Sequence, residues 1–298
     1  SKNSNLSKYF NYKKFNAKFV SSNEFLKEDL NNIDCVINLG RPSDLYKFEE
    51  IIKKVSKANV KYIHSSTIGV FDKKNWATRK GGEFKRNEEN LVKKNIDISN
   101  FKVLRIGHIV GSNFVMSSII LRMLFEGKCF IPNNNSNVVF PCELFFLINK
   151  LCKNWNLYSN YLNCVSSTNI TWYDLYHNFL KCILSDHIDN NKKRLFKIEN
   201  IKDKKDIFKI FNAIKLNFKL DKSQLRYNDL AIYLNTLLKK IYKVDKKKIS
   251  NTFGKKENLT NHFLFNEKRL ITSLDFTLNQ SDYEKDIKQS IKSYFGDY

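Results

Sequence analysis

Residues 60–71 read VKYIHSSTIGVF, and this stretch decides the fold. An apolar run ends at Ile63, three hydroxyl residues follow the histidine, and a second apolar step begins at Ile68. A buried parallel strand ends in this way when its carboxyl edge carries polar side chains. Because ligands of open α/β sheets bind outside the carboxyl ends of the strands, the stretch predicts both a strand and the position of a site.

The segments around this stretch predict a parallel sheet with crossover helices. Residues 34–40 and 101–107 are short apolar runs typical of buried strands. Residues 45–58 and 83–94, which separate the three strands, carry apolar side chains at helical spacing. Strands that alternate with helices through short connections indicate an α/β fold with a doubly wound parallel sheet.

The second half of the chain predicts fewer strands and more helices. Helices are expected at 114–125, 143–152, 171–183, 225–244 and 282–295, a short strand at 161–165, and a basic linker at 246–261. Residues 192–222 are lysine-rich, with a looser apolar pattern. We therefore predict two domains, residues 1–165 and residues 166–298, of which the second is mostly helical.

The net charge of +22 has two interpretations. It arises from 52 Lys and Arg against 30 Asp and Glu. A nucleic acid or an anionic surface as partner would explain it. A bias of AT-rich coding sequences toward Lys, Asn, Ile, Phe and Tyr would also explain it. The charge is spread evenly along the chain, mostly as lysine, which favours this second interpretation.

The cysteines indicate the redox environment of the protein, and the apolar segments indicate whether the chain could span a membrane. Six cysteines are scattered without CxxC spacing, which indicates reduced core residues in the cytoplasm or another reducing compartment, with no metal site and no disulfide framework. The longest apolar windows, such as residues 115–125, are too short to span a bilayer. Residues 1–14 are polar and basic, so we expect no signal peptide.

The order of these motifs resembles a known family. DCVINLG (34–40), KYIHSSTIGVF (61–71), a Lys and a Glu four residues apart (Lys85 and Glu89), and FKVLRIGHIVG (101–111) are similar to NAD-dependent epimerases/dehydratases. These extended short-chain dehydrogenases rework nucleotide sugars. The resemblance covers roughly residues 15–183. It implies a Rossmann-like sheet with a smaller substrate region, NAD or NADP as cofactor, a nucleotide-sugar substrate and a homodimer.

The resemblance assigns roles to the strand-end hydroxyls. In the family, a hydroxyl at this place bonds the reacting sugar oxygen, and the matching residue here is Thr67. Ser65 and Ser66 would lie beside the cofactor. A hydroxyl suits the task because it donates to a developing alkoxide and accepts from a neighbour. The alternative is that Thr67 caps a turn.

Four further residues receive expected contacts from the resemblance. Leu39 and Gly40 at the end of the preceding strand, and His108 after a later strand, would contact the cofactor. Asn113 would face the substrate. A lone histidine after a strand is more often a structural residue than a ligand, so both interpretations of His108 stay open.

The catalytic tyrosine of the family is missing from its segment. The family's base is a Tyr followed four residues later by a Lys, which binds the cofactor ribose and lowers the pKa of the phenol. The best register places Lys85 at the Lys position and Gly81 at the Tyr position. No tyrosine lies between Tyr62 and Tyr158. Two other registers keep the spacing without the chemistry: Trp76 with Lys80, and Phe84 with Glu88.

The glycine-rich phosphate loop is missing too. Such a loop brings backbone N–H groups close to a pyrophosphate at a helix N-terminus, and none of the nine glycines forms GxxGxxG or GxGxxG. Two explanations are open. Either the sequence is a fragment or processed form without its first β-α unit, or the protein natively lacks the loop.

These observations lead to three hypotheses of function. The first is an NAD(P)-dependent nucleotide-sugar epimerase, dehydratase or reductase with degraded or lost activity, in which Thr67 and Lys85 carry the site. The second is a non-catalytic Rossmann-fold scaffold that binds RNA or an anionic surface within a complex. The third is a sugar-binding module that keeps a pocket without turnover.

Overall fold

The structure is a computed structural model that describes part of the chain. The described residues are 5–12, 17–40, 44–71, 76–112, 114, 116–117, 120–121, 130–131, 135–172, 174–176, 178–179, 182, 225–226, 271–274 and 280–295. Six helices have defined bounds: α1 Asn5–Tyr12, α2 Ser22–Lys27, α3 Leu45–Ala58, α4 Trp76–Asn95, α5 Pro141–Lys153 and α6 Gln280–Phe295. The described residues form eight strands: β1 Cys35–Asn38, β2 Lys61–Thr67, β3 Phe101–Ile106, β4 His108–Ile109, β5 Phe130–Ile131, β6 Val138–Val139, β7 Tyr161–Cys164 and β8 Leu225–Arg226.

A four-stranded parallel sheet organises the first half of the chain. Its strand order is β1-β2-β3-β7, and every neighbouring pair is parallel. Helix α3 connects β1 to β2, and α4 connects β2 to β3. Strand β2 is interior, with Ile63 opposite Ile37 on one side and opposite Lys102 on the other. The prediction of a Rossmann-like α/β fold is confirmed.

Helix α3 begins and ends where local chemistry requires. Asp44 caps its start, because the carboxylate accepts a hydrogen bond of 2.7 Å from the backbone N–H of Lys47. Asn59 ends it in the left-handed conformation with φ of 52°. The apolar face predicted from the spacing is buried: Phe48, Ile51, Ile52 and Val55.

The core between the helices and the sheet is built from the same apolar positions. It gathers side chains of α3, β2, the end of α4 and β3: Phe48, Ile52, Val55, Tyr62, Val92, Ile96, Phe101 and Val103. Each fully buried aliphatic or aromatic side chain contributes about 1.5–3 kcal/mol through removal of apolar surface from water. This cluster fixes α4 against β2 and therefore positions the polar residues of α4 at the strand ends.

Helix α5 has a buried carboxylate at its start. Glu143 accepts a hydrogen bond of 2.9 Å from the backbone N–H of Phe140 and another of 2.7 Å from the Ser166 hydroxyl. Pro141 occupies the first turn, where no N–H is required. The predicted helix over 143–152 is confirmed, with the longer bounds given above.

The chain divides into two compact units. The first comprises Ser1–Ile109, Val138–Thr168 and Leu270–Leu278, and it holds the four-stranded sheet with α1 to α5. The second comprises Val110–Asn137, Asn169–Arg269 and Asn279–Tyr298, and its described part includes β5, β8 and α6. The predicted domain limits at residue 165 stay a prediction. Within the described ranges, every helix is too short or too polar to cross a lipid bilayer.

The helix predicted over 225–244 is wrong at its start. The sequence predicted a helix from Leu225, but Leu225–Arg226 form β8, which pairs antiparallel with β5. Backbone groups that pair with another strand are withdrawn from a helix, so the tertiary contact overrides the local pattern. The predictions for residues 192–222 and 246–261, and for the rest of 225–244, lie outside the described residues.

Candidate active site at the carboxyl edge of the sheet

The hydroxyl residues lie at the carboxyl end of β2, as predicted. Ser65 and Ser66 are buried and Thr67 is half-buried. Their neighbours across the β2–β3 ladder are Leu104, Arg105 and Ile106, respectively. Tyr62, His64 and Ser66 share one face of β2, since side chains alternate along a strand. This is the face from which side chains reach the polar residues of α4.

Ser66 is engaged in an ionic network inside the protein. Its hydroxyl donates a hydrogen bond of 2.5 Å to Oε1 of Glu89. The Arg105 guanidinium binds both carboxylate oxygens of Glu89, at 3.2 and 2.8 Å. The guanidinium carbon also lies 4.9 Å from the ring centre of Phe71 and 4.7 Å from that of Tyr161. A bidentate pair covered by two rings ties α4 to β2 and β3.

Lys85 reaches the end of β2 from α4. Its ammonium donates a hydrogen bond of 2.8 Å to the Ser65 carbonyl and lies 2.7 Å from Oε2 of Glu88. The side chain is 14% exposed. The structure therefore brings the predicted Lys85 to the predicted Ser65, with a carboxylate as an additional partner.

His64 and Glu88 were not predicted as site residues. Both side chains are fully buried, and Nε2 of His64 lies 3.5 Å from Oε2 of Glu88. The imidazole packs near two rings, at 5.1 Å from Phe48 and 6.2 Å from Tyr62 between ring centres. Their signal in the sequence was positional only: His64 directly precedes the hydroxyl run, and Glu88 follows Lys85 by one helical turn.

Burial and the neighbouring charges set the protonation of this pair. Burial lowers the pKa of His64 below its usual range, and the nearby Lys85 ammonium lowers it further, while Glu88 opposes both effects. Burial by itself would raise the pKa of Glu88. Contact with His64 and the charge of Lys85 outweigh that effect and hold the pKa below its ordinary value. The two shifts favour the neutral form of His64 and the anionic form of Glu88 beside the Lys85 ammonium.

These shifts predict a loss of stability in mild acid. An unfolded histidine takes up a proton below about pH 6.5, while folded His64 resists it, so the free energy of unfolding falls as the pH drops. One such group contributes at most about 1.4 kcal/mol per pH unit. Glu88 adds a further loss at lower pH, because its folded pKa lies below its unfolded value. Urea unfolding at pH 7.5 and at pH 5.5 measures the difference.

The matched variants for this test are His64→Gln and His108→Gln. The first is expected to flatten the pH dependence between pH 7.5 and 5.5, while the second retains it, since His108 lies on β4 opposite Val138 and is not part of the His64–Glu88 pair. An equal pH dependence in wild type and His64→Gln would contradict the assignment.

Thr67 performs the structural role that was the alternative prediction. Its hydroxyl oxygen accepts a hydrogen bond of 3.2 Å from the backbone N–H of Gly69 and so caps the short 3-10 turn Ile68–Phe71. A hydroxyl that accepts a bond still has its own proton to donate. The cap therefore fixes the position of Thr67 and is compatible with a bond to a ligand oxygen.

The glycine pair of α4 has two different environments. A Cβ at Gly81, the expected tyrosine position, would have no heavy atom of the described residues within 4 Å. A Cβ at Gly82 would lie 2.3 Å from the carbonyl oxygen of Gly69. Gly82 thus permits the close approach of α4 to the turn after β2, whereas none of the described residues crowds Gly81. The phenol of Tyr62, at the start of β2, is no substitute, because it is buried and hydrogen-bonded by Asn38, and burial raises its pKa.

The remaining predicted residues are placed as follows. Leu39 and Gly40 directly follow β1 and are half-buried. The backbone N–H of Gly40 donates a bond of 3.1 Å to the Asn38 side chain, which in turn donates to the Tyr62 hydroxyl. His108 lies on β4, opposite Val138. Asn113 lies outside the described residues, so its predicted contact stays a prediction.

Comparisons with known proteins find structural similarity at low sequence identity. No protein-family model matches the sequence, and no curated protein matches it. Among solved structures, a dTDP-4-dehydrorhamnose reductase from Clostridium acetobutylicum is 17% identical, covers 60% of this chain and 77% of its own, with a TM-score of 0.47. The corresponding reductase from Bacillus anthracis, solved with NADP, is 12% identical over 58% and 75%, with a TM-score of 0.46. A UDP-N-acetylglucosamine 4-epimerase from Bacillus cereus is 13% identical over 54% and 67%, with a TM-score of 0.39.

Proposed function

We propose that this chain binds a nicotinamide dinucleotide at the carboxyl edge of β1, β2 and β3, as a divergent protein of the nucleotide-sugar epimerase/dehydratase/reductase type. The observation that carries the proposal is the Lys85 ammonium, which Glu88 and the Ser65 carbonyl fix at the end of β2. An ammonium fixed at a strand end is suited to ribose hydroxyls, which accept hydrogen bonds from it. The motif resemblance implies the same role for Lys85.

The residues at this edge of the sheet fit the ribose part of such a cofactor. Lys85 offers a donor to the ribose, and the half-buried Leu39 and Gly40 flank the end of β1. The 298-residue sequence contains no glycine-rich loop, so the described residues provide no cradle of that kind for the pyrophosphate. When bound, the nicotinamide would supply hydride exchange at C4 of a sugar.

The side chains of this chain support binding better than turnover. Thr67 is held by its turn contact and keeps a proton to donate to a sugar oxygen. Gly81 supplies no group that could move a proton. Loss of general acid–base help costs about 10²–10⁴ in rate. We therefore propose that a nucleotide sugar is bound with degraded or lost turnover.

The test is nucleotide binding by two lysine variants on the same helix. Lys85→Met is expected to weaken NADH or NADPH binding by about 10–100-fold, because one hydrogen bond to a charged donor contributes roughly 1.5–3 kcal/mol. Lys93→Met removes an exposed lysine of α4 and is expected to bind like the wild type. Fluorescence titration of the full chain measures both, and circular dichroism confirms that each variant is folded.

The competing function predicts a different binding result. A non-catalytic scaffold that binds RNA or an anionic surface is favoured by the charge of +22 together with Gly81. It predicts that wild-type protein binds neither NADH nor NADPH and retains RNA with an affinity that falls steeply with salt. That pair of results would overturn the proposal of a dinucleotide site.

A further inference from the structure

Two exposed aliphatic residues lie on adjacent turns at the amino-terminal edge of the sheet, opposite the candidate active site. Ile98 opens the 3-10 turn Ile98–Asn100, which directly precedes β3, and Leu157 closes the 3-10 turn Trp155–Leu157, which precedes β7. Because β3 and β7 are neighbouring strands, the two turns are adjacent. Ile98 is 72% exposed and Leu157 is 81% exposed.

Hydrogen bonds fix the backbone of both turns. The indole N–H of Trp155 donates a bond of 2.7 Å to the Ser99 carbonyl, and the side-chain amide of Asn160 donates one to the Ile98 carbonyl. The Trp155 ring is itself buried. The fold therefore presents Ile98 and Leu157 to solvent, although removal of such side chains from water is favourable.

Lysines at the ends of three helices lie at the same edge. The hydroxyl of Ser56 on α3 donates a bond of 2.5 Å to the Asn95 carbonyl at the end of α4. The Asn100 side chain donates one of 2.7 Å to Asn59, which ends α3. Helix α5 ends just before the turn that holds Leu157. The exposed lysines of these last turns are Lys57 on α3, Lys93 and Lys94 on α4, and Lys153 on α5.

The charge of this edge is positive and largely uncompensated. Within the described ranges, none of these four lysines forms an ion pair with a carboxylate. Six lysines and two aspartates belong to the segments that form the edge, residues 33–35, 57–61, 93–102 and 152–161. One of the carboxylates, that of Asp97, accepts bonds from the backbone N–H and the hydroxyl of Ser99. Lysines in the last turn of a helix stabilise it, but that role requires no exposed aliphatic residues beside them.

We propose that this edge of the sheet docks on a membrane surface that carries anionic phospholipids. Aliphatic side chains that enter the boundary between headgroups and acyl chains lose contact with water, and the lysines beside them are attracted by the anionic headgroups. The combination distinguishes this edge from the lysines that are spread along the rest of the sequence. Docking does not rest on the proposed dinucleotide site, because Lys85 lies at the other end of β2.

Other occupants fit this edge less well. A second copy of the chain that used the same edge would bring like charges together. Single-stranded RNA is bound by aromatic rings on which its bases stack, together with basic side chains. The protruding side chains here are aliphatic, and the one indole nearby, that of Trp155, is 5% exposed.

Cys152 is a natural reporter at this edge. It directly precedes Lys153 and is exposed. The six cysteines were predicted to be core residues. This prediction is confirmed for Cys164 and Cys182, which are buried, and it is wrong for Cys152. Docking should shield the Cys152 thiol from a water-soluble alkylating reagent.

The first experiment uses the full wild-type chain with vesicles of equimolar phosphatidylserine and phosphatidylcholine, and with vesicles of phosphatidylcholine alone. Co-sedimentation should show binding to the anionic vesicles only, and the binding should weaken as the salt concentration rises. Alkylation of Cys152, measured by mass spectrometry of its peptide, should be slower in the bound protein. Failure to bind the anionic vesicles, or bound protein in which Cys152 reacts as fast as in free protein, would overturn the proposal.

Apolar variants test the aliphatic pair. Ile98→Asn combined with Leu157→Asn is expected to weaken vesicle binding by about tenfold or more. The matched control is Ile271→Asn, which should bind as the wild type does. Ile271 is 86% exposed, and its carbonyl accepts a bond of 3.2 Å from Asn163 in the carboxyl half of β7. Circular dichroism confirms that each variant is folded.

Lysine variants test the charge. Lys57→Gln combined with Lys153→Gln is expected to weaken vesicle binding by about 25-fold, since each lysine near an anionic surface contributes a factor of about five. Lys47→Gln combined with Lys53→Gln removes the same charge from the first turn and the middle of α3 and should weaken it by less than about fivefold. Equal losses from the two pairs would contradict the proposal. So would RNA retention or self-association that the edge variants abolish while the vesicles stay unbound.

Discussion

Replacing Glu88 with Gln is expected to lower the free energy of unfolding by about 3 kcal/mol. Removal of one partner of a buried ion pair leaves the other charge uncompensated, which typically costs about 3–5 kcal/mol. The lower end applies here, because Lys85 keeps the Ser65 carbonyl and is partly exposed. Chemical denaturation monitored by circular dichroism measures the change.

The control is the same substitution in an exposed ion pair. Glu49 pairs with Lys53 at 2.9 Å along α3, and both side chains are well exposed. Glu49→Gln should change the stability by at most about 0.5 kcal/mol, since exposed pairs along a helix contribute little. A Glu88→Gln effect no larger than that of Glu49→Gln would contradict the buried-pair account.

A double variant tests whether the effect passes through Lys85. Glu88→Gln combined with Lys85→Met removes both charges, so it should be less destabilised than the sum of the two single variants. Additive losses would mean that Glu88 acts through His64 alone, whose Nε2 lies 3.5 Å away.

The ion pair of Lys85 with Glu88 also affects the chemistry that is possible at the end of β2. A lysine lowers the pKa of a nearby phenol through its positive field. In this chain a carboxylate lies 2.7 Å from the Lys85 ammonium, and at that distance it offsets most of the field. Lys85 therefore serves better as a hydrogen-bond donor than as a source of positive potential. The contact and the absence of a side chain at Gly81 both favour binding over turnover.

The sheet was predictable from the sequence, whereas the ionic network was not. Buried strands such as β2 leave a short continuous apolar run in the sequence, because both of their faces are covered, and the amphipathic helix α3 leaves a helical period, because one of its faces must be apolar. The contacts of Ser66 with Glu89 and of His64 with Glu88 join residues on different elements. No periodicity encodes such contacts, since they depend on how α4 lies across β2.

The start of α4 also separates what the sequence predicts from what depends on tertiary contacts. The spacing of apolar side chains predicted a helix over 83–94, which begins directly after the glycine pair. The helix in fact spans Trp76–Asn95. Position 82 of this helix requires glycine, because the backbone of Gly69 comes so close that a Cβ would not fit. Only the tertiary contact distinguishes Gly82, which the packing requires, from Gly81, which it does not.

Gly82→Ala is therefore expected to destabilise the protein, whereas Gly81→Ala is expected to stabilise it. A Cβ at Gly82 would lie 2.3 Å from a backbone oxygen, which cannot rotate away as a flexible side chain would. Overpacking of this kind costs about 1–3 kcal/mol or more, even after the gain in helix propensity. Alanine at Gly81 meets no heavy atom of the described residues within 4 Å and should add about 0.5–1 kcal/mol, the ordinary gain for glycine to alanine in a helix.

The pair forms its own control, since the substitutions are identical and adjacent on one helix. Chemical denaturation of both variants should separate their stabilities by about 2–4 kcal/mol, in opposite directions from the wild type. The difference should also reach the site, because a displaced α4 carries Lys85 away from the Ser65 carbonyl. Gly82→Ala should therefore bind nucleotide more weakly than Gly81→Ala under conditions in which both are folded. Equal stabilities for the two variants would contradict the close approach between α4 and Gly69.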